Sequence, residues 1–581
     1  MTLNSTTVTA PPQGLRAKLT SYGDDEFSLF LRKAFIKGAG YSDDALDRPI
    51  IGIIDTSSGF NPCHGNIPAL IKAVERGVQL SGALPVPFPT ISLHESFAYP
   101  TSMYLRNLMS IDTEEMVKAQ PMDAVIGGCD KTVPAQLMGG ISANIPCISL
   151  VTGPMLTGSH AGKRVGACTD CRSYWKDYRA GLIDMEEIWR VNDELVPTVG
   201  TCGVMGTAST MACVVEALGL MPLGSATAPA VSSARLRIAE STGKIAVDLA
   251  KTQLKPQDIL TRASFENAVV VLQALGGSTN AVVHLLAIAG RLPGVNLTLE
   301  DFDRIGKKTP FLVDLKPSGA EYMEDLHKAG GVPTLLRKLS PLLDLTAKTV
   351  TGRTLGAELD SYPASFPQRI IRDLNNPLFP AGSIAVLRGN LAPSGCVFKQ
   401  SASAPHLRKH SGPAVVFTSA RDLANRIDSD DLIVTPDSVL VLQNIGPIGH
   451  PGMPEAGLIP IPKKLAREGV KDMLRISDGR MSGTAEGAVV LHVAPEAAVG
   501  GPLALVQNGD IIGVDAEQRK IWLDVSDEEL AARKEQREKT TVKRKVQRGY
   551  AGLYEKTVLQ ADKGVDFDWL TATGSFSAHT N

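Results

Sequence analysis

This sequence lacks long apolar runs, an excess of charge of either sign, and dense cysteine. No uninterrupted apolar stretch approaches the ~18 residues that a membrane helix needs. The opening MTLNSTTVTAPPQGLRAK has none of the continuous apolar core of a signal peptide. No membrane partner and a cytoplasmic location are the expectations. The formal charge is −2, from 59 basic and 61 acidic residues, so nucleic acid is not an expected partner either. The one basic run, KTTVKRKVQR at 539–548, follows the acidic SDEEL at 526–530 and reads as a solvated helix face. Eight cysteines in 581 residues are too sparse for a disulfide framework. Reduced thiols remain, to be used as core residues, metal ligands or catalytic groups.

Several familiar signatures are also missing. A phosphate-binding loop needs glycine directly before its lysine, and in GGCDKT (127–132) Asp130 precedes Lys131. No Gly-x-Gly-x-x-Gly fingerprint occurs in a suitable strand–helix setting, which argues against a nicotinamide enzyme. Ser482 lies in DGRMSG, not in a Gly-x-Ser-x-Gly elbow, so a hydrolase is not supported.

The chain is 43% hydrophobic and 21% charged, ordinary for a globular protein, and long enough for two or more domains. From about 49 to 225, buried strand-like runs alternate with helical patterns: PIIGIID (49–55), then NIPALIKAVERGVQ (66–79), DAVIGG (123–128) and PCISLVTG (146–153). This predicts an α/β domain with a largely parallel sheet over 1–380. The segment at 360–385 is rich in Pro, Asn and Ser and reads as a linker. After it come IAVLR, GCVFK, AVVFT, VLVLQ, MLRIS, AVVLHV, DIIGV and KIWLDV, separated by turns. They predict a β-rich, barrel-like domain over 381–581. Its loops GPIGHPGMPEAG (446–457) and SDGRMSGTAEG (477–487) are glycine-rich, which permits close backbone approach to a ligand.

Cys147, Cys213 and Cys396 sit in apolar runs, as core cysteines do. Cys63 (NPCHGN), Cys129 (GGCDKT) and Cys202 (GTCGVMG) sit instead among glycine, proline and small polar residues. Cys168 and Cys171 form CTDC, a lone CxxC that reads as incidental without a second pair. Three thiolates can hold an iron–sulfur cluster and leave one iron without a protein ligand. Such an iron is a Lewis acid toward a hydroxyl. Asp130, Glu95 (LHES) and Glu455 (MPE) offer the oxygen ligands that suit magnesium. Taken singly, each carboxylate is a solvated or capping residue, and Ser482 is a turn serine.

NPCHGN, GGCDKT with PAQLMG, GTCGVMGTASTM, GGSTNAVVHLLAIA, GPIGHPGMPE, SDGRMSG and HVAPEAAVGGPLALVQNGD occur in this order over about 49–525. This set resembles the dihydroxy-acid, sugar-acid and phosphogluconate dehydratases. PGMPEAGLIPIPKKLA, GTASTM and GACTDCRSYWKDYRAG are most similar to the pentonate branch. The resemblance implies a [2Fe–2S] cluster on Cys63, Cys129 and Cys202. It implies Mg2+ on Glu95, Asp130, Glu455 and Lys131, the lysine carbamylated. It implies Ser482, as an alkoxide stabilised by a nearby cation, as the base that removes a C2 proton. The reaction would be loss of water from a 2,3-dihydroxy carboxylic acid to give a 2-keto-3-deoxy acid. His94 and His450 depart from the pattern and bear on substrate choice. A homo-oligomer, dimer or tetramer, is expected. The alternatives are a branched-chain dihydroxy-acid dehydratase and, more remotely, a non-catalytic zinc or redox protein built on Cys168 and Cys171.

Overall fold

The computed structural model describes residues 13–19, 22–127, 132–540 and 547–574. Cys129, Asp130, Lys131 and positions 541–546 of the basic run lie outside these residues. The acidic stretch before that run opens the helix Asp527–Thr540, with Asp527, Glu528 and Glu529 in its first turn and Arg537 and Lys539 in its last. That order complements the helix dipole.

Strands β1 (Ile50–Asp55), β2 (Leu84–Pro89), β3 (Ala124–Gly127) and β4 (Cys147–Ser149) form one sheet in the order β2-β1-β3-β4. Every pairing in it is parallel. The near-continuous apolar run of β1 follows from burial on both faces. Ile51 and Ile53 enter one core, shared with the helix Ile67–Leu80. Ile50 and Ile54 enter another, shared with Val117 of the helix Arg106–Ala119. The helix Ile67–Leu80 lies tightly on Ser233–Thr252. A Cβ on Gly77 would stand 2.0 Å from the Glu240 carbonyl oxygen, so only glycine permits this approach. β5 (Gly158–His160) and β6 (Lys163–Val165) make a small antiparallel pair before the helix Thr169–Ala180.

The eight apolar runs after the linker become β7 (Ala385–Gly389), β8 (Ala392–Phe398), β9 (Lys409–Phe417), β10 (Val439–Leu442), β11 (Arg475–Ser477), β12 (Val489–Ala494), β13 (Ile511–Asp515) and β14 (Lys520–Asp524). They close into a barrel in the order β10-β11-β12-β8-β7-β14-β13-β9, as expected from their alternation with turns. Leu387, Cys396, Phe398, Val416, Val441, Ile476, Val490 and Val514 share its core. The linker is anchored rather than free: Phe379 and Ile371 bridge to Phe311 and Val313.

The barrel does not stand apart. Val386, Val397, Val489 and Leu491 alternate with the barrel-core residues and join the helical core instead. Met481 and Ala485 join it too. The loop carrying Ser482 is therefore pinned at the seam between barrel and helices. Among the described residues, no helix is long and apolar enough to cross a membrane.

Candidate active site

Arg480 organises this seam. Its side chain is 2% exposed, and it reaches two carboxylates from distant parts of the chain. Nη1 donates to Glu455 Oε1 at 2.6 Å; Nη2 donates to Glu95 Oε1 at 3.2 Å and to Thr101 Oγ1 at 2.7 Å. Thr101 and Ser102 in turn donate to the two oxygens of Glu95, at 2.6 Å for Thr101. Burial works against the guanidinium charge, but Glu95 and Glu455 outweigh it and hold the pKa above its ordinary value. Both glutamates open one-turn helices, Glu95–Phe97 and Glu455–Leu458. The structure thus brings Glu95 and Glu455 onto one cation, two positions before Ser482.

Ser482 Oγ lies 2.8 Å from Thr484 Oγ1, and its loop is clamped from the helical side. Asn280 Nδ2 donates to the Met481 carbonyl at 3.1 Å and to Thr207 Oγ1 at 3.0 Å. Thr169 Oγ1 donates to the Thr484 carbonyl at 2.9 Å. A Cβ at Gly483 would stand 2.7 Å from both Ser278 Cβ and Thr207 N, so the SG dipeptide is a packing requirement. Thr207 comes from GTASTM and Asn280 from GGSTN: two stretches singled out as motifs hold the third.

The two histidines that depart from the family pattern lie near these loops in the chain: His450 within GPIGHPGMPE, His94 directly before Glu95. His450 is half-buried, and its carbonyl accepts from Met453 N at 3.0 Å. His94 Nδ1 accepts from Ser96 N at 3.2 Å, and its ring packs on Phe97. A third, His492 of β12, is fully buried with φ of 57°. Burial, and then Arg480, push its pKa down to about 3, so it is neutral at physiological pH.

The described cysteines divide as their sequence setting predicts, with Cys168 the exception. Cys147, Cys213 and Cys396 are buried, and burial raises the pKa of each. Cys63 is buried in the turn Pro62–His64 beyond β1, and Cys202 is half-buried beyond Thr201. Cys168 does not behave as half of an incidental pair. Its Sγ lies 3.5 Å from Cys202 Sγ, while Cys171 Sγ donates to the Cys168 carbonyl at 2.7 Å. The neighbouring thiols of Cys171 and Cys202 hold the Cys168 pKa down against burial, with a contribution from Arg172. Arg480, Thr484 and Asn280 were not singled out from the sequence, and the approach of Cys168 to Cys202 was not foreseen. Only the motif content around them signalled their importance.

The donor chemistry fits the implied groups. Glu95 and Glu455 offer hard oxygens on the two sides of one guanidinium, the donor type that suits magnesium. Cys63 and Cys202 offer thiolates in loops rather than in an apolar core. Among the described residues, no group of three or more His, Cys, Asp or Glu could hold a metal, and those residues exclude Cys129, Asp130 and Lys131.

A cavity of about 1020 Å3 opens onto this site. Glu455 and Thr484 line it together with Arg172, Lys176 and Arg179 of the helix Thr169–Ala180. Arg172 Nε is buried and has no hydrogen-bond partner among the described residues. Lys176 pairs with Glu486 of the same lining at 3.9 Å and Arg179 with Asp428 at 2.5 Å, which leaves Arg172, among the described residues, as the cation with an unsatisfied buried donor on this wall.

Comparison with known proteins agrees with this chemistry. The model of the dihydroxy-acid/6-phosphogluconate dehydratase N-terminal domain matches residues 48–358, and that of the C-terminal domain matches 369–565. The chain belongs to this dehydratase family, a family of hydro-lyases. It is 46% identical to L-arabonate dehydratase of Azospirillum brasilense, over 95% of this chain and 96% of that protein. It is 44% identical to 6-deoxy-6-sulfo-D-gluconate dehydratase of Pseudomonas putida, over 95% and 96%. It is 37% identical to dihydroxy-acid dehydratase of Acetivibrio thermocellus, over 92% and 96%.

Proposed function

We propose that this protein removes water from a sugar acid of the pentonate type, a 2,3-dihydroxy carboxylate, to give the 2-keto-3-deoxy acid. The observation that carries the reading is the joining of Glu95 and Glu455 on Arg480, two residues before Ser482. The higher identity to named sugar-acid dehydratases than to the dihydroxy-acid enzyme supports the sugar-acid branch over the branched-chain alternative.

In this reading Cys63, Cys129 and Cys202 hold a [2Fe–2S] cluster. Glu95, Asp130, carbamylated Lys131 and Glu455 hold Mg2+. Residues 1–380 then carry the cluster and most metal ligands, and residues 381–581 the serine and Glu455. When bound, the magnesium would acidify the proton next to the substrate carboxylate, and the open iron would supply Lewis acidity toward the 3-hydroxyl. The chain's own residues do the rest. Arg172 attracts the acid. Arg480 keeps Glu95 and Glu455 in register. Thr484 orients Ser482 Oγ, which takes the C2 proton as alkoxide. The resulting enol tautomerises to the keto acid.

A panel of aldonic and dihydroxy acids, assayed for keto-acid formation with iron- and magnesium-loaded protein, tests the reading. Turnover of a pentonate above branched-chain dihydroxy acids is expected. Keto acid from none of the panel would refute it.

A further inference from the structure

A serine hydroxyl is far too weak an acid to ionise unaided near neutral pH, so an alkoxide role needs something to receive its proton. The structure holds one unexplained group against the serine loop, one residue away from Ser482, whose own Oγ pairs with Thr484 Oγ1, so the transfer needs a small shift of the loop when substrate binds. Lys399 follows β8 directly and is 0% exposed. Among the described residues it has no carboxylate partner, and its hydrogen bond runs from Nζ to the Gly483 carbonyl at 3.3 Å. Gly483 is the residue after Ser482. A buried, unpaired ammonium is among the most costly groups a fold can carry. Keeping it beside this loop calls for a purpose.

We propose that Lys399 is the positioning residue that receives the Ser482 proton and stabilises the alkoxide as an ammonium. This rests on the dehydratase reading above. The proton balance closes. Neutral Lys399 and Ser482 hydroxyl become ammonium and alkoxide. The alkoxide takes the C2 proton and is a hydroxyl again. As hydroxide departs, the Ser482 hydroxyl passes it the proton taken from C2 and regains the proton held by Lys399, so water leaves and Lys399 returns to the neutral amine. Ionisation creates an opposed pair in a dry site, where their attraction is strong.

The surroundings support this use. Burial alone brings the Lys399 pKa down to about 7, where the amine can exchange a proton during turnover. The charged groups on neighbouring elements are engaged elsewhere. On β7, Arg388 pairs with Glu300; on β11, Arg475 pairs with Asp472. Within the serine loop, Arg480 is taken by Glu95 and Glu455, and Glu486 pairs with Lys176. Asp478 accepts from Ile445 N and Ala497 N, but burial pushes its pKa up to about 7 as well, so the loss of the pH–rate limb in the Lys399 variants is what assigns it to the lysine. His492 of β12 is neutral. From the helical side, Thr207 and Ser278 meet the loop with uncharged hydroxyls.

The test is the pH profile of kcat/KM on the best acid found for the loaded enzyme, with Lys399→Arg and Lys399→Met beside the wild type. Because the neutral amine is the active form, wild-type activity should rise through about pH 7. Lys399→Arg keeps the charge but cannot lose a proton, so it should be at least ~100-fold slower across the profile. Lys399→Met should be comparably slow and regain rate with added ethylamine, with the regained rate rising as the free amine deprotonates. Iron content and thermal unfolding report whether each variant is folded. A wild type with no limb between pH 6 and 8 would overturn the proposal, even if neither variant folds. So would folded variants that lose activity but keep the wild-type limb, because that loss would be structural. Absence of any turnover in the wild type is a different result and refutes the dehydratase reading instead.

Discussion

Arg480 Nη1 lies 2.6 Å from Glu455 Oε1, and the same guanidinium reaches Glu95, 385 positions away in the chain. This ion triad ties the barrel domain to the one-turn helix Glu95–Phe97 through a buried guanidinium and two partly buried carboxylates. Breaking a buried pair by removing one partner leaves uncompensated charge and costs about 3–5 kcal/mol. Arg480→Met in metal-free protein should therefore lose stability in that range, read from urea unfolding, and turnover should vanish after loading. A loss below ~1 kcal/mol would show that the carboxylates rearrange at little cost.

The thiols are testable by metal content. Fully loaded protein should carry about two irons and two sulfides per chain, as a [2Fe–2S] centre requires. Cys63→Ser, Cys129→Ser and Cys202→Ser should each lose them. Cys168→Ser should retain them, although its sulfur stands 3.5 Å from that of Cys202. A colourless, fully active enzyme would exclude the cluster.

Magnesium should be separable from iron. Chelation, or Glu95→Gln, should abolish turnover while leaving the visible iron–sulfur absorption in place. Full activity in magnesium-free protein would remove Glu95 and Glu455 from the role assigned to them.

Ser482→Ala should keep fold, cluster and substrate binding but slow turnover by on the order of 10²–10⁴-fold, the usual worth of a general base. It should also stop exchange of a C2 deuterium label into solvent. Normal exchange in Ser482→Ala, with exchange lost in His450→Gln, would hand the proton to the histidine.

His492 predicts a pH effect on stability. Its pKa falls from an ordinary value near 6.5 to about 3 in the fold. Its contribution is present above the unfolded pKa and is lost as pH falls from about 6.5 toward 3, because the unfolded chain then binds the extra proton. At ~1.4 kcal/mol per pKa unit the term is several kcal/mol. Urea midpoints of wild type and His492→Gln at pH 7 and pH 5 should show the mutant less sensitive to acid. Equal sensitivity would mean that His492 does not titrate in this window.

Much of this architecture is legible in short windows of sequence, because strand and helix periodicity are local properties. PIIGIID and DAVIGG become parallel strands to within a residue at each end, PCISLVTG keeps only Cys147–Ser149 as strand, and eight later runs become eight barrel strands. The loop setting of Cys63 and Cys202, against the apolar setting of Cys213 and Cys396, is likewise written locally. The helical patterns could not say which face of the barrel they would cover. Tertiary packing placed Met481 and Ala485 in the helical core and so set the orientation of the Ser482 loop. The pairing of Arg480 with Glu95, the approach of Cys168 to Cys202 and the burial of Lys399 also belong to the fold alone. Each joins residues far apart in the chain or depends on exclusion of water. A window of sequence carries neither distance nor dielectric, and these two quantities decide which groups meet and which protons they hold.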